Sequence, residues 1–214
     1  MFECINMTAI GFISGSIMYS CFIPKYLGNV NIVKVSKDGN PGSMNAMASV
    51  GKTIGFICLI LDVLKAFAPV FIAVYLLNVS GYYLIPVIIA PVLGHAFSPL
   101  LMFKGGKAVA ATYGVLLGAF TISGAVFIFV AVMAIFEFII VIKPNSTKVM
   151  TAYVIATAIV LFCDPLIEIK IAVFLLALIG CYKHYKNPNK EHLSISLGNY
   201  ITCYADNKIQ FIKR

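Results

Sequence analysis

The sequence predicts an all-α, polytopic membrane protein with seven transmembrane helices, and three observations predict it. Apolar residues make up 61% of the 214-residue chain and charged residues 11%, against roughly 45–50% and 25% in soluble domains. The mean hydropathy is +0.97. The apolar residues also collect into runs near the length of a bilayer-crossing helix, about 20 residues, and the basic residues fall almost wholly in the gaps between them.

Taken in order, the runs are Met7–Leu27, Thr53–Leu77, Tyr82–Phe103, Ala108–Ile142, Val149–Phe162 and Ile169–Tyr182. The fourth cannot be one crossing. Its length from 108 to 142 would make a helix of about 52 Å, far beyond a ~30 Å hydrocarbon core. Thr121-Ile122-Ser123-Gly124 supplies a turn near its middle, so the run divides into two short spans. The last two runs are also short and are expected to tilt.

Charge sets the count and the orientation. With seven spans and the N-terminus outside, every basic residue except Lys65 and Lys170 lies in a cytoplasmic loop or in the C-terminal tail, as the positive-inside bias requires. A single fourth crossing would put Lys143 and Lys148 outside. Both polar islands described below then share the cytoplasmic face with the Lys143–Lys148 loop and the Tyr182–His192 segment.

Composition excludes several classes. The net charge of +8 is spread between spans with no continuous basic stripe, so no nucleic-acid partner is expected. Cys4, Cys21, Cys58, Cys163, Cys181 and Cys203 include no CxxC pair, and neither a metal site nor a disulfide framework is expected. The first apolar run has no basic segment before it and is read as a retained span. Gly51-Lys52-Thr53 mimics the end of a Walker A loop, but Ala46 stands where that motif needs its first glycine.

Two polar islands interrupt the apolar pattern. The first is Asp38-Gly39-Asn40-Pro41-Gly42-Ser43-Met44-Asn45. A tight turn asks for the glycines and Pro41 but not for Asn40, Ser43 and Asn45 as well, so phosphate or substrate binding stands beside the plain turn. The second runs from Gly94-His95 to Phe103-Lys104-Gly105-Gly106-Lys107. Lys104 and Lys107 around a glycine pair suit an anion lying against exposed backbone amides, whereas a lone His95 in an apolar span is usually a packed group. Asp62 and Lys65 lie three residues apart on one helix face, deep in the second span, where charges are costly and pair; a structural ion pair and a functional relay are both open. Glu137 either reaches the interface or pairs with a lysine. His184 and Asn187 suit one helical turn below the membrane, or belong to a solvated basic tail.

These islands resemble the PlsY family, the bacterial acyl-phosphate:glycerol-3-phosphate acyltransferases. Gly39-Asn40-Pro41-Gly42-Ser43-Met44-Asn45 is similar to the family's Ser-Gly-Asn-x-Gly-Ala-Thr-Asn, and Gly94-His95-Ala96-Phe97 through Lys107 to its Gly-His-x-Phe…Phe-Lys-Gly-Gly-Lys. His184-Tyr185-Lys186-Asn187 corresponds to His-Arg-x-Asn, and Leu61-Asp62-Val63-Leu64-Lys65 also looks like the family's helix. The likeness covers about Gly15 to Asn187. It implies one membrane acyltransferase-like domain over 1–192, a cytoplasmic tail over 193–214, and a multi-pass protein of the bacterial cell membrane with a cytoplasmic site.

The resemblance further implies acyl phosphate and glycerol 3-phosphate as substrates, membrane lipids as neighbours and no cofactor. His184, Asn187 and Lys104 are the expected catalytic residues. Gly39, Asn40, Gly42, Ser43, Asn45, His95, Gly105, Gly106, Lys107 and Ser146 are the expected substrate-binding residues. A substrate phosphate is expected to take the proton of the attacking hydroxyl. Three positions depart from the pattern: Asp38 replaces serine, Ala48 a basic residue and Tyr185 an arginine. Asp38 would repel a dianion unless a lysine neutralises it. An altered acceptor, a catalytically silent relative and a lipid-binding or transport protein are the alternatives. The His-x-x-x-x-Asp signature of another acyltransferase class is missing at His95, His184 and His192.

Overall fold

The computed structural model describes residues 1–186, 193–197, 200–205 and 208–213. Ten helices account for most of them: α1 (Phe2–Ser16), α2 (Tyr19–Gly28), α3 (Ile32–Val35), α4 (Ser43–Val50), α5 (Lys52–Tyr75), α6 (Leu84–Ala96), α7 (Val109–Gly118), α8 (Ala125–Ala134), α9 (Asn145–Cys163) and α10 (Ile167–Lys186). Four stretches are long and apolar enough to cross a bilayer by length and composition: Phe2–Gly28, Lys52–Tyr75, Gly81–Leu101 and Asn145–Cys163. The long fourth run divides where its turn residues predict. α7 stops at Gly118, and Gly124 caps α8.

The first run is not one helix. It breaks at Ile17–Met18, where Ile17 is extended. The break is held by charge: Lys65 Nζ donates to the Ile17 carbonyl and sits 2.7 Å from Asp62, whose other oxygen accepts from Ser20 at 2.6 Å. Of the two readings left open for Asp62 and Lys65, the geometry favours the structural pair, since it ties α5 to both halves of the interrupted helix. Without hydrocarbon-excluding water to drive them together, such helices associate by close packing of small residues. At the α1–α6 crossing, a Cβ on Gly15 would lie 2.1 Å from the Pro91 carbonyl oxygen, and one on Gly94 would lie 2.2 Å from that of Phe12.

The core between the helices is built from Leu84, Ile88, Val92, Val115, Val160, Val173 and Leu176, each almost wholly buried. Phe127, Phe138, Phe162 and Leu178 point outward and stay exposed, as expected of a surface that faces lipid. Away from the site, Asp164 joins the α7–α8 turn to the α9–α10 turn by accepting from Ser123 Oγ and the Leu166 amide.

The chain departs from an all-α fold in one place. α8 loosens into a π turn over Ile135–Ile139 and passes into strand β1 (Ile140–Lys143). β2 (Ser194–Leu197), β3 (Tyr200–Ala205) and β4 (Lys208–Lys213) follow α10 and complete an antiparallel sheet in the order β1-β2-β3-β4. An apolar run that continues a helix carries no local sign of becoming a strand. Its ladder partner lies some fifty residues later, so the fold is mainly helical with an appended sheet rather than all-α.

Candidate active site

The first island folds around its own carboxylate. Gly39 takes φ +63°, which brings the Asn40 amide to Asp38 Oδ1 at 3.2 Å. Asn45 Nδ2 donates to the same oxygen and to the Asn40 carbonyl, both at 2.8 Å. Lys107 Nζ, from the second island, donates to Asp38 Oδ2 at 2.8 Å. Burial raises the Asp38 pKa, but the hydrogen bonds from Lys107 and Asn45, the lysine charge and the Asn40 amide outweigh it, so the carboxyl stays below its ordinary range. The repulsion expected of Asp38 is thus neutralised within the protein. Gly42 then caps α4, and Ser43 opens its first turn.

The second island packs its glycines closely. Gly105 and Gly106 are buried, and the Gly106 amide donates to the His95 carbonyl at 3.0 Å. A Cβ on Gly105 would lie 2.0 Å from the His95 carbonyl oxygen, and one on Gly106 would lie 2.3 Å from His95 Nε2. The glycines therefore let the loop fold flat onto His95, and the Gly106 amide is used in doing so. Lys183 reinforces this arrangement by donating to the carbonyls of Ala96 and Gly105 at 2.7 and 3.0 Å. Lys104 is exposed and off the cleft described next, whereas Lys107 reaches into it.

The third wall comes from the π turn and the start of α9. Glu137 accepts from Lys148, an ion pair that spans β1. π turns inside helices commonly accompany functional sites because they swing one side chain out of register. Asn145 opens α9 on the same side, with Ser146 buried behind it.

Together these elements enclose a cleft of about 490 Å³, bordered by Asp38, Asn40, Gly42, Ser43, Asn45, Lys107, Asn145, Lys148 and His184, with Asp62 and His95 at its inner end. The first turns of α4, α7 and α9 all contribute lining, at Ser43–Met44, Val109–Ala110 and Asn145. Helix N-termini carry free amides and the positive end of the dipole, so three of them suit an anion; Lys107 and Lys148 stand beside them, each paired with a carboxylate of the same lining, Asp38 and Glu137. His184 is only 2% exposed, and neither ring nitrogen has a hydrogen-bond partner among the described residues; Asn40 Oδ1 and His95 Nδ1 are likewise unpartnered.

Of the sequence-predicted site residues, Asn40, Gly42, Ser43, Asn45, His95, Lys107 and His184 meet in this cleft, as does Asp62. Gly39, Lys104, Gly105, Gly106 and Ser146 do not line it, and Asn187 lies outside the described residues. Two of the departures also fall elsewhere: Ala48 and Tyr185 are exposed and off the cleft, so only Asp38 bears directly on it. Sequence reasoning put the Lys143–Lys148 loop and the Tyr182–His192 segment on the same face as the islands but did not single out Asn145, Lys148 or Lys183. The first two follow an apolar run with no periodic signal of a pocket, and Lys183 reads as one more tail lysine.

Known proteins resemble this chain in sequence and in fold. The family model described as glycerol-3-phosphate acyltransferase matches residues 5–192. Glycerol-3-phosphate acyltransferase 2 of Thermotoga maritima is 44% identical over 107 residues, covering 50% of this chain and 54% of that protein. In that alignment the chain spans about half the length of its relative. A glycerol-3-phosphate acyltransferase of Endomicrobium trichonymphae is 33% identical over 186 residues, covering 83% and 86%. Crystal structures of PlsY, an integral membrane glycerol 3-phosphate acyltransferase, superpose over 86% of this chain and 89% of theirs. The glycerol 3-phosphate form gives a TM-score of 0.74 at 27% identity, and the lysophosphatidic acid form 0.73 at 26%. A helical membrane fold, a matching family model over nearly the whole helical part and a relative aligned along most of its length agree, and the chain belongs to the glycerol-3-phosphate acyltransferase family.

Proposed function

We propose that this chain transfers a fatty acyl group from acyl phosphate to glycerol 3-phosphate, releasing inorganic phosphate and forming lysophosphatidic acid for phospholipid synthesis. The observation that carries the reading is the convergence of three helix N-termini, Lys107 and Lys148 on one cleft that also holds an unpartnered, buried His184. Both substrates bear phosphate, and the cleft concentrates the groups that bind it.

The chemistry asks little more than placement. An acyl phosphate is a mixed anhydride, so its carbonyl carbon is already activated. The glycerol hydroxyl attacks that carbon, charge collects on the carbonyl oxygen, and the C–O bond to phosphate breaks as the ester forms. Held geometry and aimed donors lower such a barrier. Lys107, Lys148 and the amides of Ser43, Val109 and Asn145 suit the phosphates, and His184 suits a hydroxyl or the developing oxyanion. A substrate phosphate takes the hydroxyl proton. Because Lys107 reaches the cleft and Lys104 does not, direct contact is assigned to Lys107, and Lys104 adds only long-range attraction.

Residues 1–192 act as one membrane domain with seven crossings, the N-terminus outside and the cleft on the cytoplasmic side of a bacterial cell membrane. Residues 193–214 extend it on that same side. The charge distribution along the sequence supports this orientation. Purified protein in lipid, given acyl phosphate and glycerol 3-phosphate, should yield lysophosphatidic acid by mass spectrometry. If folded protein gives none, with glycerol 3-phosphate or any other phosphorylated acceptor, the reading is wrong.

A further inference from the structure

The match to the family model ends at residue 192, yet the chain continues into β2, β3 and β4. What these strands do follows from where β1 lies. Four residues cannot hold a strand without a ladder partner, and β1 has one: Ile140, Val141, Ile142 and Lys143 face Leu197, Ser196, Ile195 and Ser194. Ile142 is buried, and Ile195 packs against the main core beside it. Ser196 Oγ adds a hydrogen bond to the Val141 carbonyl at 3.4 Å.

Both ends of β1 lead into the cleft. Glu137 and Met133 line it before the strand, Asn145 and Lys148 after it. The Glu137–Lys148 ion pair therefore closes a loop whose middle is β1. Glu137 is largely exposed in its side chain, and an exposed pair of this kind contributes little order by itself. Lys148 rides on α9, whose Val149 packs into the core, while the segment that carries its partner Glu137 to α9 is held by the ladder. A loop released from its partner strand must be reordered each time a ligand binds, and that entropy appears as lost affinity.

We propose that the segment beyond residue 192 is an intramolecular clamp: β2, seated through Ile195, pairs with β1 and fixes the Lys148 wall of the cleft, and thereby its affinity for a phosphate-bearing ligand. This rests on the phosphate-binding reading above. Ile195 is a positioning residue that acts through β1 on Lys148.

The test uses the full chain in lipid nanodiscs with inorganic phosphate as probe. Ile195→Pro removes a backbone donor and breaks the ladder; Ile195→Asp removes the apolar anchor and keeps the amide. In both, amide exchange over residues 140–143 should quicken about tenfold or more, and the Kd for phosphate should rise roughly 5- to 20-fold. Lys148→Ala should weaken phosphate binding in the parent and have at most about a twofold further effect in either Ile195 variant, because coupled residues are not additive. Unchanged exchange in residues 140–143, or a Lys148→Ala factor as large in the variants as in the parent, overturns the clamp. Should the parent not bind phosphate, the exchange result alone decides the clamp, and the phosphate-binding reading falls separately. If both Ile195 variants fail to fold, Val141→Cys with Ser196→Cys, in a background without native cysteines, should cross-link on oxidation; no cross-link also overturns it.

Discussion

At the scale of single residues, the site is defined by which lysines are committed to it. Lys107 and Lys148 are each paired with a carboxylate of the same lining, Asp38 and Glu137, and under the proposed function a substrate phosphate competes with those carboxylates for them. Lys107→Ala and Lys148→Ala should each remove a charge-assisted contact of about 1.5–3 kcal/mol, or roughly 10- to 150-fold in kcat/KM. Lys104→Ala should change kcat/KM by no more than about threefold, because a screened exposed charge acts weakly. Equal losses at Lys104 and Lys107 would refute the assignment. Asp38 carries a pH signature. Its carboxyl titrates below the ordinary range in the folded protein, so the stabilisation it supplies is full above that range and is lost as pH falls through the lowered value. Asp38→Asn should therefore unfold more easily than the parent near neutral pH, and the gap should close on acidification below the ordinary carboxylate range. A gap that widens in acid would show that Asp38 is not held as an anion. The sequence made Asp38 visible as an oddity, but not its ring of donors, because Lys107 is 69 positions away.

Elements explain what the residue list alone does not. The sequence made the glycine pair at 105–106 conspicuous and suggested an anion cradle; in the structure the pair lays a loop flat against His95. The two roles have opposite signatures. Gly105→Ala would press a methyl group onto the backbone oxygen of His95, and overpacking of this kind costs about 1–3 kcal/mol. Gly124→Ala is the control, since a Cβ there meets nothing. Thermal unfolding in detergent should show Gly105→Ala clearly destabilised and Gly124→Ala close to the parent; a stable Gly105→Ala protein with lost substrate binding would restore the cradle. The split of the long apolar run was legible because turn residues punctuate backbone locally. The break at Ile17–Met18 was not, because its cause is a pair of charges on α5, and neither was β1, whose partner strand lies beyond α10. Periodicity reports what a segment does to itself and is silent on what a distant segment does to it.

For the whole molecule, the arrangement of charge along the chain and the assembly of the cleft argue the same geometry. The cleft is built around Asp38, Lys107, Lys148 and His184, which lie in the segments that the basic residues are expected to place in the cytoplasm. Under the proposed function one face serves both topology and chemistry: the lysines expected to orient the protein during insertion would also draw a dianionic substrate to the cleft. The short helices α7 and α8 are what make this possible. Taken as two passes, they return the chain to the cleft side so that Glu137, Asn145 and Lys148 can join Asp38 and Lys107; taken as one, they would leave those residues across the bilayer from the rest of the site. Asn145 decides between these, since it is exposed and lines the cleft. Asn145→Cys, in a background without native cysteines, should resist an impermeant thiol reagent in intact cells and react once the membrane is opened. Reaction in intact cells would put the α9 entrance outside, and the proposed orientation of the cleft could not stand.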